Sequence, residues 1–276
     1  GFNVSGAGAT VTSNSGSKVI LGNNVSLASA ITTATVSLST ASNFDFNGTT
    51  VAQHTGGLPG STLSTSSANG SQNYTTTLTG NITVSNPLGV TMNQSIRLNT
   101  PGVLTVTSTG KFLFGDGNVA SETIAAGTLN SGSFNLTGTG SFVGQSDCTL
   151  VITSSKGISG TTDGNIRTST ARTFGSGINF VFTKNDGFNP ISIGTSFYNG
   201  DINPVTGIKN MTIDCPYGVY FASTYTGTAN TNASGFVTTL TYTGGNDITV
   251  NGTLNFVSGK LYTGDYVTVA TNSVPA

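Results

Sequence analysis

The chain holds no Trp, one His, one Glu and two Cys, and its charged residues come to 7%, nine Lys or Arg against ten Asp or Glu. Each scarcity excludes a class. A nucleic-acid binder needs a basic surplus, and the formal net charge here is -1. A small disulfide-stapled fold needs more than Cys148 and Cys215. A membrane span needs a long apolar run, whereas stretches such as Val19-Ile20-Leu21 break within a few residues, so no membrane insertion is expected. Helix-forming Ala, Leu, Glu and Lys are too sparse for a helical protein. An acidic disordered tail is excluded as well, because hydrophobic residues reach 35% and Val, Ile, Thr, Phe and Tyr recur throughout.

What is present is small, hydroxylated and turn-prone. Gly (38), Thr (49), Ser (33) and Asn (28) supply more than half of the 276 residues. Between the turn residues lie short runs with an apolar residue at every second position. Examples are Ile82-Thr83-Val84, Val103-Leu104-Thr105-Val106 and Lys111-Phe112-Leu113-Phe114. This is the period of a half-buried strand. Asn-Pro-Leu-Gly at 86–89, Pro101-Gly102 and Asp116-Gly117 punctuate the runs where a positive φ costs little. The chain therefore reads as all-β with essentially no α-helix. Two architectures fit: a β-solenoid resembling a parallel β-helix, with short strands and Gly/Asn/Asp turns, or tandem β-sandwich domains. A solenoid coil of about 20–25 residues would give on the order of twelve coils stacked at the ordinary strand spacing.

Internal similarity favours stacking. Asn81-Ile82-Thr83-Val84-Ser85-Asn86-Pro87-Leu88-Gly89-Val90 aligns with Asn210-Met211-Thr212-Ile213-Asp214-Cys215-Pro216-Tyr217-Gly218-Val219, an offset of 129. Upstream, Phe44-Asp45-Phe46-Asn47 matches Phe180-Val181-Phe182-Thr183 at 136; downstream, Gly110-Lys111-Phe112 matches Gly259-Lys260-Leu261 at 149. The order is kept while the offset drifts, as loop insertions such as Thr231–Gly235 would produce. The reading is opening coils over 1–40, a first unit over 41–156 and a second over 157–276, or one continuous solenoid.

Three phrases also carry a resemblance. Phe44-Asp45-Phe46-Asn47-Gly48 with Gly57-Leu58-Pro59 precedes the phrase at 81–90. That phrase in turn leads to Val250-Asn251-Gly252-Thr253-Leu254-Asn255-Phe256-Val257-Ser258-Gly259-Lys260-Leu261. Taken in order over most of 40–269, they resemble the β-strand repeats of large Bacteroidetes surface proteins exported by type IX secretion, the gliding adhesins among them. The resemblance implies an exported, cell-surface chain used in adhesion or gliding motility. The sorting domain of that family is not visible here, and the chain opens on Gly1 without a signal peptide, so an interior or excised piece is expected.

Chemistry is thin. His54 is the lone histidine and sits in a loop-like stretch without a nucleophile elbow, so neither a Ser-His-Asp triad nor a His-based metal site is expected. Glu122 and the nine Asp (Asp45, Asp116, Asp147, Asp163, Asp186, Asp201, Asp214, Asp247, Asp265) are scattered, mostly beside Gly or Asn, unlike the paired carboxylates of glycan hydrolases. No EF-hand or Gly-Gly-x-Gly-x-Asp repeat occurs, and Gly244-Gly245-Asn246-Asp247 extends into nothing longer. Cys148 and Cys215 would lie about three coils, roughly 14 Å, apart along a solenoid, against about 7 Å for a bridge, so two thiols are expected. Phe112 and Phe114 alternate as core rungs do, and Thr75–Thr79 and Thr238–Thr243 do not recur as an even ice-binding ladder. Sequons such as Asn81-Ile82-Thr83 follow from composition.

No catalytic, cofactor-binding or metal site is therefore expected. The reading is a non-catalytic structural and adhesive segment of an elongated extracellular protein. Its partners would be neighbouring segments of the same long chain, other surface proteins, glycans or abiotic surfaces, and not nucleic acid. Two alternatives stand beside it: a solenoid carbohydrate-binding or glycan-cleaving module, and a phage or viral fibre segment.

Overall fold

The structure is a computed structural model that describes residues 4–59, 61–64, 73–114, 135–154, 157–158, 164–170, 172–183, 191–192, 208–220, 224–226, 241–243, 248–262 and 267–269. The fold is all-β and its strands are gathered mainly into parallel sheets. Helix is nearly absent among the described residues, as expected, and is limited to the single turn Leu27–Ala30. Ser26 caps it, its hydroxyl accepting from the Ser29 N–H at 3.1 Å, while Leu27 and Ala30 turn inward.

The first sheet stacks Lys18–Leu21, Asn43–Phe46, Ile82–Val84, Val103–Val106, Ser141–Gly144 and Arg172–Phe174 in that order. A second stacks Gln53–His54, Val90–Thr91, Lys111–Leu113, Thr149–Ile152, Ile178–Thr183 and Ile208–Tyr220, and extends onto Ile248–Val250, Leu254–Tyr262 and Val267–Val269. The third holds Ser61–Ser64, Asn73–Leu78, Ser95–Leu98, Leu136–Gly138 and Ile166–Thr168. From residue 43 to 183 the described strands visit first, second and third sheets in rotation, with one hairpin, Ser61–Ser64 with Asn73–Leu78, inside the third. Val4–Ser13 pairs parallel with Ile31–Leu38 outside these three. The described antiparallel pairs are Ser61–Ser64 with Asn73–Leu78 and Thr224–Thr226 with Thr241–Thr243.

Alternation decides which way each strand faces. In the first sheet Phe44, Ile82, Leu104 and Phe142 fall in register, one above another, and all are buried. In the second, Val90, Phe112, Leu150, Phe180, Met211 and Leu254 form one such column; in the third, Thr76, Ile96, Leu136 and Ile166 do. Each large side chain so buried contributes about 1.5–3 kcal/mol. All three columns belong to one contiguous core.

Asn side chains tie rung to rung. The Asn81 N–H donates to Asn43 Oδ1 at 3.0 Å, and the Val103 N–H to Asn81 Oδ1 at 3.0 Å. Higher up, Asn210 Nδ2 donates to Asn179 Oδ1 at 2.7 Å and the Thr253 N–H to Asn210 Oδ1 at 2.8 Å. These bonds span 38, 22, 31 and 43 residues respectively. A rung thus takes more chain than the uniform 20–25 residues expected, and the column begun by Gln53 counts seven rungs among the described residues. Thr231–Gly235, the expected insertion, lies outside the described residues.

Candidate functional site

The most organised polar site is a buried node at the corner between the first and second sheets. Gln53 stands in an inward column, where Val90 and Phe112 follow it, and is 2% exposed. Its Nε2 donates to the carbonyls of Leu21 (3.1 Å), Gly22 (2.8 Å) and Asn24 (2.9 Å). Its Oε1 accepts from the Gly48 N–H at 3.1 Å and from Asn86 Nδ2 at 3.0 Å. Asn86, fully buried, also donates to the Val51 carbonyl at 2.9 Å, and its Oδ1 accepts the N–H groups of Leu88 (2.8 Å) and Gly89 (3.3 Å). Every polar atom of both amides is bonded, so the node fastens corners together and has no lone pair left for a substrate. Asn86 stands at the corner expected from the repeated phrase; Gln53 is not among the expected residues, and a Gln in an inward register is the signal that finds it.

His54 follows Gln53 and points to the outer face, paired with Thr91. Its Nδ1 accepts the Gly56 N–H at 3.1 Å, which places the imidazole hydrogen on Nε2. Burial holds this histidine below its ordinary range. Beside it the Thr55 hydroxyl and Asn93 Oδ1 lie 2.8 Å apart. No carboxylate or thiol joins this group, and among the described residues no three His, Cys, Asp or Glu gather as metal ligands.

The described carboxylates stay apart, each in its own structural contact. Asp45 Oδ2 meets Lys18 Nζ at 2.9 Å on the outer face of the first sheet, while Oδ1 is buried without a hydrogen-bond partner. Asp147, at a corner with φ 65°, pairs with Lys209 at 2.7 Å, and Asp214 accepts from the Ser258 hydroxyl at 2.8 Å. Glu122 and Asp116, Asp163, Asp186, Asp201, Asp247 and Asp265 lie outside the described residues, as do 244–247. Cys148 and Cys215 are separate buried thiols. Burial first, and then the neighbouring Asp147 charge, push the Cys148 thiol up to about 12.

The aromatic rings mostly fill the core. Phe112 and Phe114 meet edge to face at 5.0 Å and Phe180 stacks on Phe182 at 5.8 Å. Among the described residues Ile20, Val25, Val36, Leu88, Phe256 and Val257 are the large apolar side chains left exposed, the last two adjacent on Leu254–Tyr262. Thr76 of the Thr75–Thr79 run is buried and contacted by the Gln94 amide, so that run is no flat hydroxyl face. No helix among the described residues is long and apolar enough to cross a membrane. The chain matches no protein-family description, no curated protein and no solved structure.

Proposed function

We propose that the chain is a structural and adhesive segment of an elongated extracellular or cell-surface protein, wound as a β-solenoid and without a catalytic role. The observation that carries this reading is the rotation through three sheets of mainly parallel strands, each parallel strand pairing with one laid down 19–44 residues earlier. Parallel pairing of successive rungs suits a solenoid, whereas sandwiches are built from antiparallel neighbours. Such a stack gains length by repeating rungs and needs no globular core. The outward faces carry Thr, Ser and Asn, suited to hydrogen-bonding with glycans or neighbouring chains. The ordered resemblance to type IX-exported adhesin repeats supports the same use at the cell surface.

Force spectroscopy on the chain held at its two ends tests the solenoid. Release in successive steps of one rung each is the expected record; one or two all-or-none collapses would overturn it. Turnover of any member of a neutral and acidic polysaccharide panel would overturn the non-catalytic role. Antibody labelling of intact source cells tests the location, with labelling only after lysis counting against it.

A further inference from the structure

Two Asn-Gly pairs lie among the described residues, Asn47-Gly48 and Asn251-Gly252, and both Asn residues are exposed. Such a pair can react with itself. The Gly nitrogen, once it has lost its proton, attacks the Asn side-chain carbonyl carbon. The bond to the side-chain nitrogen breaks, ammonia leaves, and water opens the five-membered imide to aspartate or isoaspartate. Glycine makes the attack easy because it offers no side chain in the way.

Packing leaves neither glycine replaceable. A Cβ on Gly48 would stand 2.6 Å from the Gly22 carbonyl oxygen, and one on Gly252 would stand 2.6 Å from that of Lys209. The fold therefore imposes the glycine of each pair. At both it also ties up the attacking nitrogen. The Gly252 N–H donates to the Lys209 carbonyl at 2.6 Å. The Gly48 N–H donates to Gln53 Oε1 at 3.1 Å within the buried node. An amide proton so bonded and buried is withheld from base until the corner opens.

We propose that Asn47 is a latent deamidation site held shut by the Gln53 side chain. The two locks differ in kind: one acceptor is a backbone carbonyl, the other a side chain that mutation can remove. Opening the second would put a new negative charge on Asn47, whose own N–H bonds the Leu21 carbonyl at 3.0 Å across the first sheet. Isoaspartate there would also lengthen the backbone and pull that rung out of register. The inference stands on the node alone and is independent of the surface-protein reading.

The experiment incubates the full chain at mildly alkaline pH and follows the amide-to-acid mass change by peptide mapping. In the native wild type, Asn47 and Asn251 should each convert at least about tenfold more slowly than in the same chain unfolded in urea, the factor one such hydrogen bond sets. Native Asn47 converting at the unfolded rate would overturn the proposal. In Gln53→Met, Asn47 should accelerate about tenfold while Asn251 stays slow; Asn47 remaining as slow as in the wild type would also overturn it. If both sites accelerate together the variant has unfolded, and the decision passes to hydrogen exchange of the wild-type Gly48 amide. Exchange as slow as that of core strand amides supports the lock, and exchange at the rate of exposed turns defeats it.

Discussion

The phrases around Asn86 and Cys215 share their residue pattern but not their backbone: Asn86 stands in a turn between two strands, and Cys215 stands inside the strand Ile208–Tyr220, where the register against Leu254–Tyr262 shifts. In both, two inward residues (Ile82 and Val84, Met211 and Ile213) precede a buried residue, an exposed Pro and a Gly at positive φ, 113° for Gly89 and 94° for Gly218. Asn81 and Asn210 open the phrases and accept the same bond from the next rung. The neighbours repeat too. Phe44 lies in register below Ile82 and Phe180 below Met211; a rung later, a Cβ on Gly110 would meet the Val84 carbonyl oxygen and one on Gly259 the Cys215 carbonyl oxygen. Yet the first copy stands on the first sheet and the second on the second sheet. In register, Gln53 opposite Val90 gives way to Ile191 opposite Val219, and in the aligned phrases Asn86 gives way to Cys215. An amide pair is exchanged as a pair. That is the pattern expected when losing one buried partner costs much more than losing both.

The comparison can be broken most severely at Gly259. Its φ is 89°, and an added Cβ would overlap the Cys215 carbonyl oxygen. Gly259→Ala should cost about 3 kcal/mol or more, read by urea denaturation, and loosen the rung above Cys215. Full stability in that variant would mean the two phrases do not share their close rung contact.

Next in size is Gln53→Leu, which strips partners from three carbonyls, the Gly48 N–H and the Asn86 amide. A loss of about 3 kcal/mol is expected on the same measurement. Asn86→Cys, copying the second phrase into the first, should cost about 2 kcal/mol alone. Combined with Gln53→Ile it should cost at least about 1 kcal/mol less than the two single losses added together. Strict additivity would show that the exchange of the pair is coincidental.

The thiols sharpen the contrast without a stability change. With Cys148 pushed up to about 12 and both cysteines buried, native protein should resist a thiol reagent at mildly alkaline pH and react at two sites once unfolded. Rapid native labelling of Cys215 would show that the strand there is open. The smallest effect belongs to His54, beside Gln53. Its folded pKa lies below the unfolded value, so the neutral ring favours the fold. That contribution is full above the unfolded pKa of about 6.5 and fades as pH falls through the lower folded value. Thermal midpoints should fall on acidification in the wild type and fall less in His54→Gln.

Much of this was legible beforehand. Alternation at 82–84, 103–106 and 111–114 dictated the faces of those strands, and Pro87 with Gly89 dictated a corner. The repeated phrases share buried positions and a Gly at positive φ, but one makes a turn at 85–89 and the other runs through the strand Ile208–Tyr220. The one-turn helix at Leu27–Ala30 was missed because four residues are too few to set a period. Gln53 was missed because its importance lies in carbonyls about thirty residues away.

Local geometry follows from the sequence alone: strand faces, turn positions, the Gly at positive φ, and the poverty of ionisable groups. Those properties depend on a residue and its immediate neighbours, through side-chain period and backbone sterics. Tertiary packing settled which strand rests on which, the spacing of 19 to 44 residues between them, the turn at Asn86 against the strand through Cys215, and the buried node that Gln53 and Asn86 share. Pairing across such distances is chosen by how columns of side chains pack, and no window of sequence contains both members of a column.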